Sequence, residues 1–192
     1  MEQDERNAAI EAIGRDIERE DLTPELRAQA TSLVMGSGST AAKVVFIGEA
    51  PGKQEDLSGR PFVGASGKLL DELLASIGLD RADVYITNIV KYRPPANRDP
   101  SKSEIIAFIP YLDRQLDIIK PRIIVFLGRH AMNVFLPDLT IGDAHGVPVI
   151  QENRVLIPLY HPAAALYNGG MRQTLMDDFA VIRQVLENPK TP

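Results

Sequence analysis

The chain has 192 residues, 44% of them hydrophobic, and a net charge of −5. That length and apolar content fit one domain with a sizeable core, and no apolar run reaches the ~18 residues needed to span a bilayer. The sequence contains no cysteine, which excludes disulfides, thiolate metal sites and cysteine-ligated iron–sulfur clusters.

The first residues, Met1-Glu2-Gln3-Asp4-Glu5-Arg6, are charged and lead into no apolar signal core, so a cytoplasmic location is expected. Residues 2–20 place Ala and Ile among charges at helical spacing and predict an amphipathic helix. A second helix is expected from Pro24 to about Met35, with Thr23 as N-cap, followed by a Gly36–Ser39 loop. The pattern then becomes regular. Strand Lys43–Gly48 leads to helix Ser66–Ile77, and strand Val84–Val90 leads through a Pro-rich loop to helix Ser103–Ile119. Strand Ile123–Gly128 leads to helix Arg129–Phe135, and strand Val155–Tyr160 to a helix near Met171–Leu186. Alternating strands and helices predict a parallel sheet covered on both faces.

In such a sheet the C-terminal strand ends share one edge, where α/β folds place their chemistry. The first strand ends in Gly48-Glu49-Ala50-Pro51-Gly52, with Glu55 and Phe62 soon after. The second ends in Thr87-Asn88 and then a basic, Pro-rich run containing Lys91, Arg93, Asn97 and Arg98, with Lys102 just beyond. The fourth ends in His161-Pro162. Each residue alone has an ordinary structural reading: a solvated carboxylate, a packed ring, a turn amide. Their convergence on one edge is what points to function. An Asn amide reads a planar amide edge, and a Phe face stacks on a flat heterocycle. A His donates to an oxygen that gains charge, and a carboxylate orients water or stabilises a cation. The neighbouring cations suit phosphates. Together they point to hydrolysis of a base–sugar bond in a nucleic acid. The net acidity argues against a broad nucleic-acid face but leaves room for a local basic groove. His130 and His145 lack such context and are read as structural. The spacing contains no metal-ligand cluster and no Walker-type Gly-Lys-Ser/Thr loop.

The segments Gly48–Gly52, Glu55-Asp56, Gly59–Gly64, Gly67–Leu70, Thr87–Lys91, Arg93–Pro95, Asn97–Pro100 and Tyr160–Ala163 occur in order. From about residue 41 to 186 the chain resembles the family 4 uracil-DNA glycosylases. The resemblance implies a three-layer α/β/α sandwich with a central four-stranded parallel sheet. The expected layout is a single domain over 1–192, with an N-terminal helical extension over 1–40 and the core over 41–188. It implies a monofunctional DNA-repair enzyme that hydrolyses the N-glycosidic bond of uracil in single- or double-stranded DNA and leaves an abasic site. The expected protein is a monomer without membrane contact.

Carried over by motif position, the catalytic set is Glu49, Glu55, Asn88 and His161, with no metal. Phe62, Asn88, Ala50 and His161 would hold uracil. Phe62 would stack on the flipped base, Asn88 would read its polar edge and His161 would face O2. Ala50 stands where the best-known glycosylase family carries a water-activating Asp, which implies a dissociative path. Lys91, Arg93, Asn97, Arg98 and Leu166 would contact DNA, Leu166 as the plug that fills the vacated stack.

Family 4 enzymes usually bind a four-iron, four-sulfur cluster through four cysteines. Here the third position is Tyr92, the fourth is Phe108, and residues 19–30 contain none. The cluster is therefore expected to be absent, its volume filled by an apolar core with help from the N-terminal helices. Tyr167 replaces an Arg that often follows the wedge. The loop from Tyr92 to Ser101 carries no His, which argues against the covalent chemistry of a related subgroup. Two alternatives stand beside uracil excision: a glycosylase for another deaminated base such as hypoxanthine, and a non-catalytic DNA- or protein-binding module of the same fold.

Overall fold

The computed structural model describes residues 1–188, so the last four residues of the expected 1–192 domain lie outside the described residues. Helix α1 (Gln3–Glu20) and a single turn, α2 (Pro24–Arg27), precede strand β1 (Ser37–Gly38). Then come β2 (Val44–Gly48), α3 (Lys53–Ser58), α4 (Ala65–Ser76), β3 (Tyr85–Asn88) and a 3-10 turn at Pro95–Asn97. Next are α5 (Lys102–Ile119), β4 (Ile123–Leu127), α6 (Arg129–Phe135), α7 (Ile141–Ala144), β5 (Val149–Gln151) and β6 (Arg154–Leu159). A second 3-10 turn (Pro162–Ala165) leads into α8 (Gly169–Glu187).

The sheet corrects the four-stranded expectation. It has six strands among the described residues, in the order β1-β3-β2-β4-β6-β5. The inner four are parallel, and β1 and β5 pair antiparallel at the two edges. Strand β1 falls inside the 1–40 stretch assigned to the helical extension, so the sheet begins at Ser37. The central strands are buried on both faces, which is why they read as unbroken apolar runs. Period two divides them: Val45 and Ile47 join one core with α1 and α5, while Val44 and Phe46 join the other with α4 and α8. The result is a three-layer α/β/α sandwich.

Four more corrections concern elements. The expected Pro24–Met35 helix stops at Arg27, because the buried Asp56 carboxylate accepts from the backbone amides of Thr31 (2.8 Å) and Ser32 (3.1 Å). Those amides cannot also serve a helix. The short elements α3, α7 and β5 are additional. Helix α1 is tied to the core by Arg6, whose Nη1 donates to the Thr40 and Ile119 carbonyls at 3.3 and 3.2 Å.

Candidate active site

Register sets the site. Gly48 pairs with Asn88 at the C-terminal ends of β2 and β3. A Cβ at Gly48 would lie 2.4 Å from Asn88 Oδ1 and 2.7 Å from the Phe62 ring. Only glycine lets the amide and the ring close over the strand end. Phe62 holds a left-handed backbone at φ 51°. Arg81 fixes that loop by donating to the Pro61 carbonyl at 3.1 Å and to the Phe62 carbonyl, and by pairing with Asp71 at 2.5 Å.

A cavity of about 380 Å³ opens here, lined by Glu49, Ala50, Glu55, Phe62, Asn88 and His161 and closed by the loop from Pro94 to Pro100. It brings together every expected catalytic and uracil-holding residue. Asn88 is buried, with 2% exposure. Phe62 and His161 face each other with ring centroids 5.6 Å apart and planes 30° apart. His161 Nδ1 accepts from the Ala163 amide at 3.1 Å. That bond leaves the neutral ring's proton on Nε2. Burial lowers the His161 pKa to about 4, partly opposed by Glu55, so the ring is neutral near pH 7.

The two carboxylates differ. Glu55 Oε1 accepts from the Val63 and Gly64 amides, both at 2.9 Å, at the start of α4. Glu49 Oε1 is buried without a hydrogen-bond partner among the described residues. Burial raises the Glu49 pKa, Asp99 adds to that, and His130 and Arg129 oppose it.

His130 Nδ1 lies 3.5 Å from Glu49 Oε1 and its Nε2 3.6 Å from Asp99 Oδ2. Sequence reasoning read His130 as structural and did not name Asp99 as a site residue. The available signal was position: His130 opens α6 directly after β4, the third of the four parallel strands that end on this edge. His145 instead pairs with Asp178 at 2.9 Å and packs on Tyr160.

The basic run divides. Lys91, expected at a phosphate, is fully buried instead. Its Nζ donates to Thr87 Oγ1 (2.8 Å), the Asn88 carbonyl (2.6 Å) and Gln115 Oε1 (2.6 Å). The chain after β3 turns this side chain inward, so it braces the Asn88 strand end and cannot reach DNA. Arg93 Nε donates to Asn97 Oδ1 at 2.7 Å. Arg98 grips Glu104 through two bonds of 2.9 and 2.6 Å. Leu166 is half-buried against the α4/α8 core, whereas Tyr167 beside it is 97% exposed.

Tyr92 and Phe108, the positions that the resemblance gives to cluster cysteines, lie in a packed core. Tyr92 and Phe108 meet edge to face with centroids 6.1 Å apart, joined by Ile13, Ile17 and Leu26. Burial raises the Tyr92 pKa, which leaves the one oxygen donor in this set a neutral phenol. With no cysteine in the sequence, these residues do not fit an iron–sulfur cluster.

Comparison with known proteins agrees with this geometry. Residues 35–186 match the model of the uracil DNA glycosylase superfamily. The chain is similar to a type-4 uracil-DNA glycosylase of Sulfurisphaera tokodaii, 48% identical over 170 residues that cover 83% of this chain and 77% of that protein. A type-4 enzyme of Archaeoglobus fulgidus is 46% identical, covering 84% and 85% of the two chains. One from Thermotoga maritima is 38% identical, covering 90% and 92%. Strand ends, cavity and relatives thus converge, and the chain belongs to the type-4 uracil-DNA glycosylases, as a member without the cysteines of an iron–sulfur cluster.

Proposed function

We propose that this protein excises uracil from DNA by hydrolysing its N-glycosidic bond and leaving an abasic site. The carrying observation is one cavity lined by a buried amide, an aromatic face, a neutral imidazole and a carboxylate whose buried oxygen has no hydrogen-bond partner among the described residues. A base reaches such a cavity only by leaving the stack. Phe62 stacks on it, Asn88 pairs with its imide edge, and Ala50 leaves room beside it. The bond between C1′ and N1 breaks first, its electron pair passing to the ring. His161 Nε2–H donates to O2, where that charge collects. Glu49 faces the sugar cation and orients the water whose oxygen then bonds to C1′, the spare proton leaving through the carboxylate to solvent. Glu55, with one oxygen held by two amides, shapes the same wall. Arg93, Asn97, Arg98 and Leu166 contact the DNA on either side. The protein acts as a single-domain cytoplasmic monomer.

The test uses single-stranded and duplex oligonucleotides carrying uracil or hypoxanthine, with abasic sites cleaved by alkali. Uracil strands should be cut. Cutting at hypoxanthine alone would move the specificity, and cutting at neither would leave a DNA-binding module. Asn88→Ala leaves the uracil edge unpaired, at a cost of ~1–3 kcal/mol, or about ten- to a hundredfold in rate. His161→Ala should lower the single-turnover rate by roughly a hundred- to a thousandfold with DNA affinity retained. Folded variants of both with near-normal excision would end the assignment.

A further inference from the structure

The donor atoms of Glu49, Asp99 and His130 all lie within 4.8 Å of one another, although they come from three separate segments. Glu49 follows β2, Asp99 belongs to the loop before α5, and His130 opens α6. His130 stands between the two carboxylates, with Nδ1 toward Glu49 and Nε2 toward Asp99. Arg129 Nε donates to His130 Nε2 at 3.3 Å. A ring that accepts at Nε2 carries its neutral-state proton on Nδ1, the nitrogen facing Glu49.

Glu49, Arg129 and His130, though not Asp99, wall a second cavity of about 240 Å³ on the other side of Glu49 and His161, lined also by Leu127, Ile141 and Tyr160. The Glu49 carboxylate therefore sits on a partition between two cavities. Its buried oxygen has no hydrogen-bond partner among the described residues, and His130 Nδ1 approaches it at 3.5 Å. Burial disfavours the ionised form, and Asp99 disfavours it further. Against these act His130 and Arg129. His161, beyond the partition, is held toward the neutral ring mainly by burial and to a lesser degree by His130.

We infer that His130 is a positioning residue for the reaction, standing against the Glu49 carboxylate and keeping it aimed at the sugar, with Asp99 flanking the far side of the imidazole. The inference rests on the reading of Glu49 given above. The residue acts through Glu49, since it lines the second cavity and not the one of Phe62 and Asn88.

Two consequences separate this role from simple bracing. Removing His130 raises the pKa of Glu49, so the pH below which excision fails moves upward. Removing His130 from a protein that already lacks the Glu49 carboxylate changes little, because the two act as one unit. The experiment is a double-variant cycle of wild type, Glu49→Gln, His130→Ala and both together. Single-turnover excision is followed across pH, and the Glu49 carboxyl carbon is titrated by NMR in the DNA-free protein. His130→Ala should slow excision at least tenfold at neutral pH and shift the acid limb upward. The Glu49 titration should shift upward with it. His130→Gln, which keeps a donor near the Nδ1 position, should recover part of the rate. The double variant should match Glu49→Gln.

Additive losses in the cycle, with the Glu49 titration unmoved, would overturn the inference. The titration needs no activity. If wild type failed to excise uracil, the functional reading would fall, while an upward Glu49 shift in His130→Ala would still report the contact. An unmoved titration would remove the contact itself.

Discussion

Lys91 shows how one residue's direction can differ from its neighbourhood. In sequence it opens a basic run, yet its stem turns into the core and its three protons meet three acceptors. Burial lowers its pKa from 10.5 to about 7, while the three acceptors favour keeping the proton. The unfolded chain binds that proton up to the ordinary value, so between about pH 7 and 10.5 the unfolded state holds more protons. Stability therefore gains from Lys91 deprotonation as pH rises through that window. Lys91→Met keeps the stem and removes the titration. Urea unfolding should show the wild type gaining on the variant from pH 7 upward, and parallel curves would mean that Lys91 keeps its ordinary pKa. At neutral pH the variant leaves Gln115 Oε1 and the Asn88 carbonyl without their donor, a loss of ~1–3 kcal/mol each.

At the scale of elements, the loop that closes the cavity depends on the start of α5. Ser101 accepts from the Glu104 amide and Glu104 reaches back to the Ser101 amide, a reciprocal capping box. Arg98 joins it through Glu104. The Arg98 hydrogen bond is the leading reason the Glu104 pKa falls to about 2. A depressed carboxylate contributes stability above its unfolded value, lost as pH falls through the folded one. Glu104→Gln should thus lower the melting temperature at pH 7, and the gap to wild type should close between about pH 4.5 and 2. A gap that persisted at pH 2 would assign the effect to packing. The Asn97–Arg98 wall should loosen as well, which would appear as weaker binding of abasic-site DNA.

What was legible in the sequence follows from the same scale. Glu49, Asn88 and His161 end strands whose apolar runs mark them, and parallel order puts strand ends together. The edges β1 and β5, of two and three residues, are too short to carry a period. Helix α2 was overread because Asp56, 25 residues from Thr31, claims the amides that the helix would have used. The Glu49–His130–Asp99 group was invisible because no spacing rule joins residues from three segments. The direction of Lys91 was invisible because strand alternation does not extend past Asn88.

Across the whole molecule, the N-terminal helices complete the core on one side of the sheet. Ile13, Ile17 and Leu26 pack with Tyr92 and Phe108, and Arg114 of α5 pairs with Asp16 of α1 at 2.7 Å. That core stands where relatives of this family are expected to carry inorganic ligation. The purified protein should lack visible absorbance and stoichiometric iron, and exhaustive chelation should leave excision intact. A charge-transfer band or chelator-sensitive activity would contradict this.

The Tyr92–Phe108 contact also changes what the cell must supply. A cluster-bearing repair enzyme depends on iron delivery and on chemistry that spares its sulfur. Hydrocarbon in that position depends on neither, and the sequence offers no thiol for sulfenylation or nitrosation. Peroxide or nitric oxide at levels that dismantle exposed clusters would leave this fold standing. Excision would then continue under the nitrosative stress that deaminates cytosine and creates its substrate.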